Sequence, residues 1–90
     1  MINLHGFEII SPLWGQVCHY SISNDAMVTL QIYNHLGIPI KTLVNENKSI
    51  GTYNINLDTS RMMPGTYYAT IRVNDGNISV DKTIKIIINR

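Results

Sequence analysis

The sequence predicts an all-β fold, a two-sheet antiparallel sandwich of about seven strands. Three observations support this prediction. Apolar and polar residues alternate with a period of two in most segments, turn-forming residues recur about every 8 to 12 residues, and no long segment has a helical period. A small closed barrel built from the same strands is the competing architecture.

A predicted hairpin near the middle of the chain organises the rest. Val28, Leu30 and Ile32 fall on one side of an alternating segment, as in a half-buried strand. Residues 34–37 tolerate turn conformations, and a second apolar segment at 38–44 follows at hairpin distance. Because a hairpin alone cannot bury its inner face, a second sheet must cover these side chains.

Two strands are predicted before this hairpin. The first covers residues 7–10 and ends before Pro12, because proline lacks the amide that a continuing central ladder needs. Residues 13–15 form a connection, the second strand covers 16–23, and residues 24–26 form a turn. The inner face of the second strand carries Cys18, Tyr20 and Ile22.

After the hairpin, the sequence predicts a polar loop at 45–49 and a strand at 51–57. The inward residues of this strand are Tyr53, Ile55 and Leu57. Residues 58–63 are predicted to form one helical turn, with Asp58 or Thr59 as its N-cap, which is too short for a substantial helix.

Two further strands form the last predicted hairpin. Pro64 and Gly65 end the helical turn, and a strand follows at 66–73. An Asp-Gly pair within residues 74–77 is the strongest hairpin signal in the chain, because glycine supplies the positive φ of a tight turn. The last strand covers 78–88. The alternation places on one face of each strand Tyr67, Ala69, Ile71 and Val73 in the first, and Ile84, Ile86 and Ile88 in the second.

Composition narrows the function classes. The 90 residues are expected to form a single domain over 1–90. Hydrophobic residues make up 44% of the chain and charged residues 14%, and the formal net charge is +1. This charge gives no field that would attract nucleic acid, and no apolar run is long enough to span a membrane. Cys18 is the only cysteine, so the fold must depend on packing without an intrachain disulfide.

No residue pattern points to catalysis. His5, His19 and His35 have no ligand spacing, Cys18 lies on a predicted core face, and most carboxylates fall in predicted turns. We therefore expect no enzyme, no metal and no cofactor. Three aromatic residues remain as alternatives, since an exposed aromatic row can stack on sugar rings, although aromatics also simply favour strands. They are Trp14, Tyr33 and Tyr68.

Several ordered blocks resemble a known family. They are Tyr20-Ser21-Ile22, the run 28–37, Lys41-Thr42-Leu43-Val44, Gly51-Thr52-Tyr53, Leu57-Asp58-Thr59-Ser60, Pro64-Gly65-Thr66-Tyr67-Tyr68 and Lys82-Thr83-Ile84-Lys85-Ile86. Over about residues 16–88, this pattern resembles the carboxy-terminal type A sorting domain of bacterial type IX secretion. It is also shared with the immunoglobulin-like domain of the flagellar hook-capping protein.

The resemblance implies an immunoglobulin-like sandwich within a longer protein that is secreted or displayed on the bacterial surface. The domain would target its cargo by binding the outer-membrane secretion and sorting machinery. We expect the chain to be a segment of that protein, because its amino terminus has no signal-peptide pattern. By similarity, recognition would fall on Pro64, Gly65, Tyr67, Lys82, Thr83, Ile84, Lys85 and Ile86.

Two alternative functions remain open from the sequence. The domain could be a structural module of an extracellular assembly or adhesin, which would bind a neighbouring subunit or self-associate through its last edge strand. It could instead be a small carbohydrate-binding sandwich. Under the sorting hypothesis, the isolated chain is expected to be a monomer.

Overall fold

The computed structural model describes residues 4–10 and 16–89. This part of the chain forms seven antiparallel strands in two sheets and contains no helix. The strands are β1 (Leu4–Ile10), β2 (Gln16–Ile22), β3 (Ala26–Asn34), β4 (Pro39–Lys48), β5 (Gly51–Leu57), β6 (Gly65–Asn74) and β7 (Ser79–Ile88). The prediction of seven strands is confirmed.

The strands pair as an immunoglobulin-like sandwich. One sheet has the order β1-β2-β5, and the other has the order β4-β3-β6-β7. The links from β2 to β3, from β4 to β5 and from β5 to β6 cross between the sheets, whereas β3 with β4 and β6 with β7 are antiparallel neighbours within one sheet. The predicted sandwich is confirmed, and the described strands do not close into a barrel.

The core lies between the two sheets and is built from alternate residues of each strand. Val28, Leu30 and Ile32 are fully buried, as the alternation predicts. The residues predicted to share one face of β2 and one face of β6 are also buried: Cys18, Tyr20, Ile22, Tyr67, Ala69, Ile71 and Val73. The period-two alternation of apolar residues in the sequence therefore identified the residues that form the buried face of β2, β3 and β6.

Tyr20 places a polar group inside this core. Its ring stacks on Tyr53 of the neighbouring strand, with ring centroids 5.4 Å apart. The buried Tyr20 hydroxyl has no hydrogen-bond partner among the described residues. Burial, and to a lesser extent the nearby Tyr53 and Glu46, raises the pKa of Tyr20 to about 12. An unpaired buried hydroxyl costs stability.

The turns match their predicted chemistry. The β6–β7 connection is a tight hairpin in which Gly76 has a φ of 99°, and the Asp75 carboxylate accepts hydrogen bonds from the Asn77 and Ile78 amides. These bonds, led by the one from Ile78, hold the pKa of Asp75 below its usual range. Residues 58–63 form a turn without a helix, in which the Met62 amide donates to the Thr59 carbonyl at 3.1 Å.

The predicted polar loop at 45–49 is wrong for most of its length. Strand β4 continues to Lys48, where Asn45 pairs with Thr29 and Glu46 with Val28. Its pairing with β3 is irregular at two points, and it is an outer strand, so most of its side chains are exposed. The two irregular points lie before residue 45, so exposure alone explains the missed segment: an exposed edge strand does not need an apolar face, and its sequence loses the alternation that would identify it.

Candidate functional site

The last strand, β7, is the outer strand of the four-stranded sheet. It pairs with β6 without a register shift, from Gly65 opposite Ile88 to Asn74 opposite Ser79. Within the part of the chain that the structure describes, no strand pairs with its other side. An outer strand of this kind presents unpaired N–H and C=O groups that a partner strand can bind.

The other three edges are less suitable for strand addition. The pairing of β1 is interrupted between His5 and Glu8, and that of β4 is interrupted twice. The β5 edge is regular but has only seven residues, whereas β7 has ten. Since bulges and short length protect an edge from pairing, β7 is the longest uninterrupted edge among these strands.

The two faces of β7 have different roles. Ile86 and Ile88 are 2% and 4% exposed and belong to the core, and Ile84 packs against it. On the opposite face, Thr83, Lys85 and Ile87 are exposed, and Ile87 reaches 55%. Of the predicted recognition residues on this strand, Ile84 and Ile86 therefore contribute packing, and Thr83 and Lys85 face outward.

Lys82 occupies an inner-face position of β7. It lies opposite Ile71, which is fully buried, yet Lys82 itself is exposed. Because β7 is the outer strand, the lysine stem can extend past the rim of the core while its ammonium group stays in water. A charge at an inward position of an edge strand disfavours indiscriminate pairing. Sequence alternation alone did not show that this lysine faces inward.

The second predicted recognition segment begins at Pro64 and adjoins the end of β7. Gly65 has a φ of 152° and lies opposite Ile88, and Tyr67 lies opposite Ile86. The Tyr67 hydroxyl donates a hydrogen bond of 2.6 Å to the Met63 carbonyl, which ties β6 to the loop before it. The structure thus brings together the two segments that the family resemblance implied.

A groove of about 700 Å³ opens beside this corner, between the β3–β4 turn and the β5–β6 loop. Ile40, Met62, Met63 and Tyr67 form part of its apolar lining. Met63 is 76% exposed and Ile40 is 46% exposed. Sequence reasoning missed the groove because segments that are distant in the chain build it; the only local signal was a run of apolar residues, 36–40, around a turn.

Charged residues at the groove are mainly basic. Lys41 and Arg61 line it together with one carboxylate, Asp58. Hydrogen bonds from Ser60, followed by the nearby Lys41 and Arg61, hold the pKa of Asp58 below its usual range. The Ser60 amide donates to this carboxylate at 2.9 Å. The groove can therefore accept an apolar side chain next to an anionic group.

The outer face of the four-stranded sheet is a bonded polar surface. Arg72 donates to both carboxylate oxygens of Asp81 at 2.9 and 3.0 Å, and the Thr70 and Thr83 hydroxyls are 2.8 Å apart. The hydrogen bonds from Arg72 hold the pKa of Asp81 below its usual range. These cross-strand pairs fix the side chains beside the β7 edge.

The aromatic residues considered for sugar binding do not form a row of free rings on this face. Tyr33 and Tyr68 are cross-strand neighbours and half-buried, and the Tyr33 hydroxyl donates to the Gln31 side-chain oxygen at 2.7 Å. Trp14 lies outside the described residues. The geometry gives the carbohydrate hypothesis no specific support.

Reactive groups are isolated in residues 4–10 and 16–89. Cys18 is fully buried, and burial raises the pKa of its thiol to about 11, which disfavours the thiolate. The Nδ1 atom of His19 lies 2.7 Å from the Oδ1 atom of Asn54, within hydrogen-bond distance. No group of three His, Cys, Asp or Glu residues in this part of the chain could hold a metal ion. Nor does it contain a helix long and apolar enough to cross a membrane.

Comparison with protein-family models gives a match over most of the chain. A family model described as a secretion system C-terminal sorting domain matches residues 16–89, which contain six of the seven strands. No curated protein and no solved structure gave a significant match. The matched segment includes the whole β7 edge and the Pro64 corner. The chain belongs to the family of C-terminal sorting domains of type IX secretion.

Proposed function

We propose that this domain directs an attached cargo protein to the bacterial surface by presenting the β7 edge to the outer-membrane secretion machinery. Family membership supports a sorting role and export as part of a longer protein. The observation that carries the proposal is the regular, unbulged outer strand, ten residues long. The family is a sorting family and not an enzyme family, so the proposal assigns no catalytic residue.

Strand addition is the proposed mode of binding. A receptor segment pairs with the outer backbone groups of β7, and these hydrogen bonds supply affinity with little dependence on side chains. Side chains next to the edge then select the segment. Lys85 and Ile87 project from the outer face, so they favour a partner strand with an acidic residue beside an apolar one.

The corner beside β7 extends this binding surface. Pro64, Gly65 and Tyr67 lie where the last residues of β7 end, because Gly65 pairs with Ile88. The adjoining groove offers an apolar pocket with Lys41 and Arg61 at its rim. A receptor loop that continues from the added strand over this corner can place an apolar side chain in the groove, which adds an anchor to the backbone pairing.

The test separates recognition from folding. Deleting residues 83–90 would remove the core residues Ile86 and Ile88, and loss of export would then report unfolding. A point change avoids this problem. We expect Ile87→Asp to preserve the fold, because Ile87 is 55% exposed, but to place a charge on the docking edge.

The experiment fuses residues 1–90 behind an exported reporter in a bacterium with type IX secretion and measures reporter on the cell surface. Ile87→Asp should reduce surface delivery by about tenfold or more, which corresponds to a loss of at least ~1.4 kcal/mol of binding. The matched control is Ile78→Asp in the β6–β7 hairpin, where Ile78 is 45% exposed at the opposite end of the strand. Equal delivery by both variants, with both folded, would refute the β7 mechanism.

A further inference from the structure

The outer face of β7 carries a charge pattern that is complementary to itself. Asp81, Thr83 and Lys85 follow one another on this face, with opposite charges on either side of Thr83. We propose that two copies of the domain associate by antiparallel pairing of their β7 strands about a twofold axis through Thr83. This inference concerns a second copy of the chain and does not depend on the sorting function.

The twofold axis fixes which residues meet. An axis normal to the sheet keeps both cores on the same side of the joined sheet, so that each residue meets one from the same face of the other copy. With the axis at Thr83, each Asp81 lies opposite Lys85 of the other copy, and each Ser79 lies opposite Ile87. Because the twofold axis repeats the Asp81–Lys85 contact on both sides of Thr83, the dimer contains two oppositely charged pairs.

Other registers with the same symmetry are less favourable. An axis at Asp81, Lys82 or Lys85 places that residue opposite its own copy, so that like charges meet directly. An axis at Ile84 places Asp81 opposite the apolar Ile87 and forms no ion pair. The axis at Thr83 is the register that pairs opposite charges on both sides and uses most of the strand.

The existing contacts prepare the outer face for this pairing. Arg72 holds the Asp81 carboxylate with two hydrogen bonds, so Lys85 of the other copy would complete a row of alternating charge. Thr83 already lies 2.8 Å from Thr70 through its hydroxyl, so the two Thr83 residues would extend that row of threonines across the axis.

The inner face is compatible with the same register. Val80 lies opposite Ile86 of the other copy, which extends the apolar core across the joined edges. Lys82 lies opposite Ile84, where its aliphatic stem can cover the isoleucine while its ammonium group remains in water. One pair of strands buries less than the ~1,200 Å² of a standard interface, so we expect a dissociation constant on the order of 0.1 mM.

This dimer and a receptor strand would occupy the same backbone groups and would exclude each other. An isolated chain that dimerises in this way would not be the monomer expected from its sequence. Charge-reversal variants separate the two uses of the edge: a compensating pair of variants can restore association between copies, but it cannot restore the fit to a receptor that has not changed.

The first test measures association of the 90-residue chain by analytical ultracentrifugation up to about 1 mM. The unmodified chain should dimerise, and Lys85→Glu and Asp81→Lys should each raise the dissociation constant about tenfold, because like charges then meet twice.

An equimolar mixture of the two variants should restore association. In the mixed dimer the introduced carboxylate of one variant meets the introduced ammonium group of the other, and the unchanged Asp81 of the first meets the unchanged Lys85 of the second. A monomeric unmodified chain, or a mixture that associates no better than either variant alone, would overturn the proposal.

The second test uses disulfide trapping to determine which residues of the two β7 strands lie opposite each other. Cys18 is fully buried, so an introduced cysteine is the accessible thiol among the described residues. Under mild oxidation, Thr83→Cys should form covalent dimers, whereas Ser79→Cys and Ile87→Cys should do so only when the two are mixed. Crosslinking of Ser79→Cys alone at the rate of Thr83→Cys would contradict the Thr83 axis.

Discussion

Tyr67 lies directly opposite Ile86 in the β6–β7 ladder, and both side chains face the core. The Tyr67 hydroxyl also holds the Met63 carbonyl in the preceding loop. The loop with its groove, the corner at Gly65 and the end of the last strand are therefore parts of one packed unit. A receptor that binds the β7 edge meets a surface whose shape this pair of residues fixes.

Two tyrosine-to-phenylalanine changes should shift stability in opposite directions. Tyr67→Phe removes the hydrogen bond to Met63 and should lower the free energy of unfolding by about 1 kcal/mol. Tyr20→Phe removes a buried hydroxyl without a described partner and should raise it by about 1 kcal/mol. Chemical denaturation measures both. A large loss of stability in Tyr20→Phe would show that its hydroxyl has a partner.

Neighbouring isoleucines on β7 should differ sharply when each is replaced by alanine. Ile86 is 2% exposed, so Ile86→Ala should cost about 2–5 kcal/mol of unfolding free energy. Ile87 is 55% exposed, and Ile87→Ala should change stability by less than about 0.5 kcal/mol. Thermal or urea unfolding tests this alternation, and equal costs would contradict the assigned inner face.

The β6–β7 hairpin should depend on one glycine. Gly76 has a φ of 99°, a conformation that residues with a Cβ rarely adopt, although no atom lies within 4 Å of the added Cβ. Gly76→Ala should therefore cost about 1 kcal/mol through backbone strain alone. Asn77→Ala, next in the same turn, is the control and should be nearly neutral, because its amide, not its side chain, bonds Asp75. Equal losses would rule out the glycine requirement.

Stability should decline at alkaline pH because of two buried acids. The pKa of Cys18 rises from 9.0 to about 11, and that of Tyr20 rises from 10.0 to about 12. Well below pH 9 both groups are neutral in the folded and unfolded chain. As the pH rises, the unfolded chain ionises first, so folding stability falls between about pH 9 and 12, by at most roughly 3 kcal/mol for each group.

Single variants separate these two contributions. Tyr20→Phe should retain only the decline due to Cys18, which ends near pH 11, and Cys18→Ala should retain only the later decline due to Tyr20. Urea unfolding at a series of pH values measures the effect. A Tyr20→Phe variant with the same pH profile as the unmodified chain would exclude Tyr20 as a source.

Sequence alternation predicted the central strands well because their inner faces are buried under the opposite sheet. Val28, Leu30 and Ile32 could be assigned to the core from their spacing alone. Alternation gave no signal where burial is one-sided or absent: the end of β4 at residues 45–48 pairs regularly with β3 but is mostly exposed, and its sequence has no such period. Lys82 was not identified as inward-facing, because its charge hides its position in the pattern.

The candidate site was predicted in part. Family resemblance implied the Pro64 corner and the last strand, which stay a prediction, and strand pairing shows that the two segments adjoin, since Gly65 meets Ile88. The groove could not be predicted, because its lining comes from segments that only the folded chain brings together, such as Ile40 and Met63. The order of strands in a sheet, and thus which strand is outermost, is likewise a long-range property.

Site-specific photocrosslinking during export tests the docking edge most directly. A photoreactive residue is placed at Thr83, Lys85 or Ile87 on β7. The control position is Ile50, which is 63% exposed in the link from the opposite outer strand, β4, to β5. We predict adducts with outer-membrane secretion proteins from the three β7 positions and none from Ile50. Adducts from Ile50, with none from β7, would contradict recognition through the last strand.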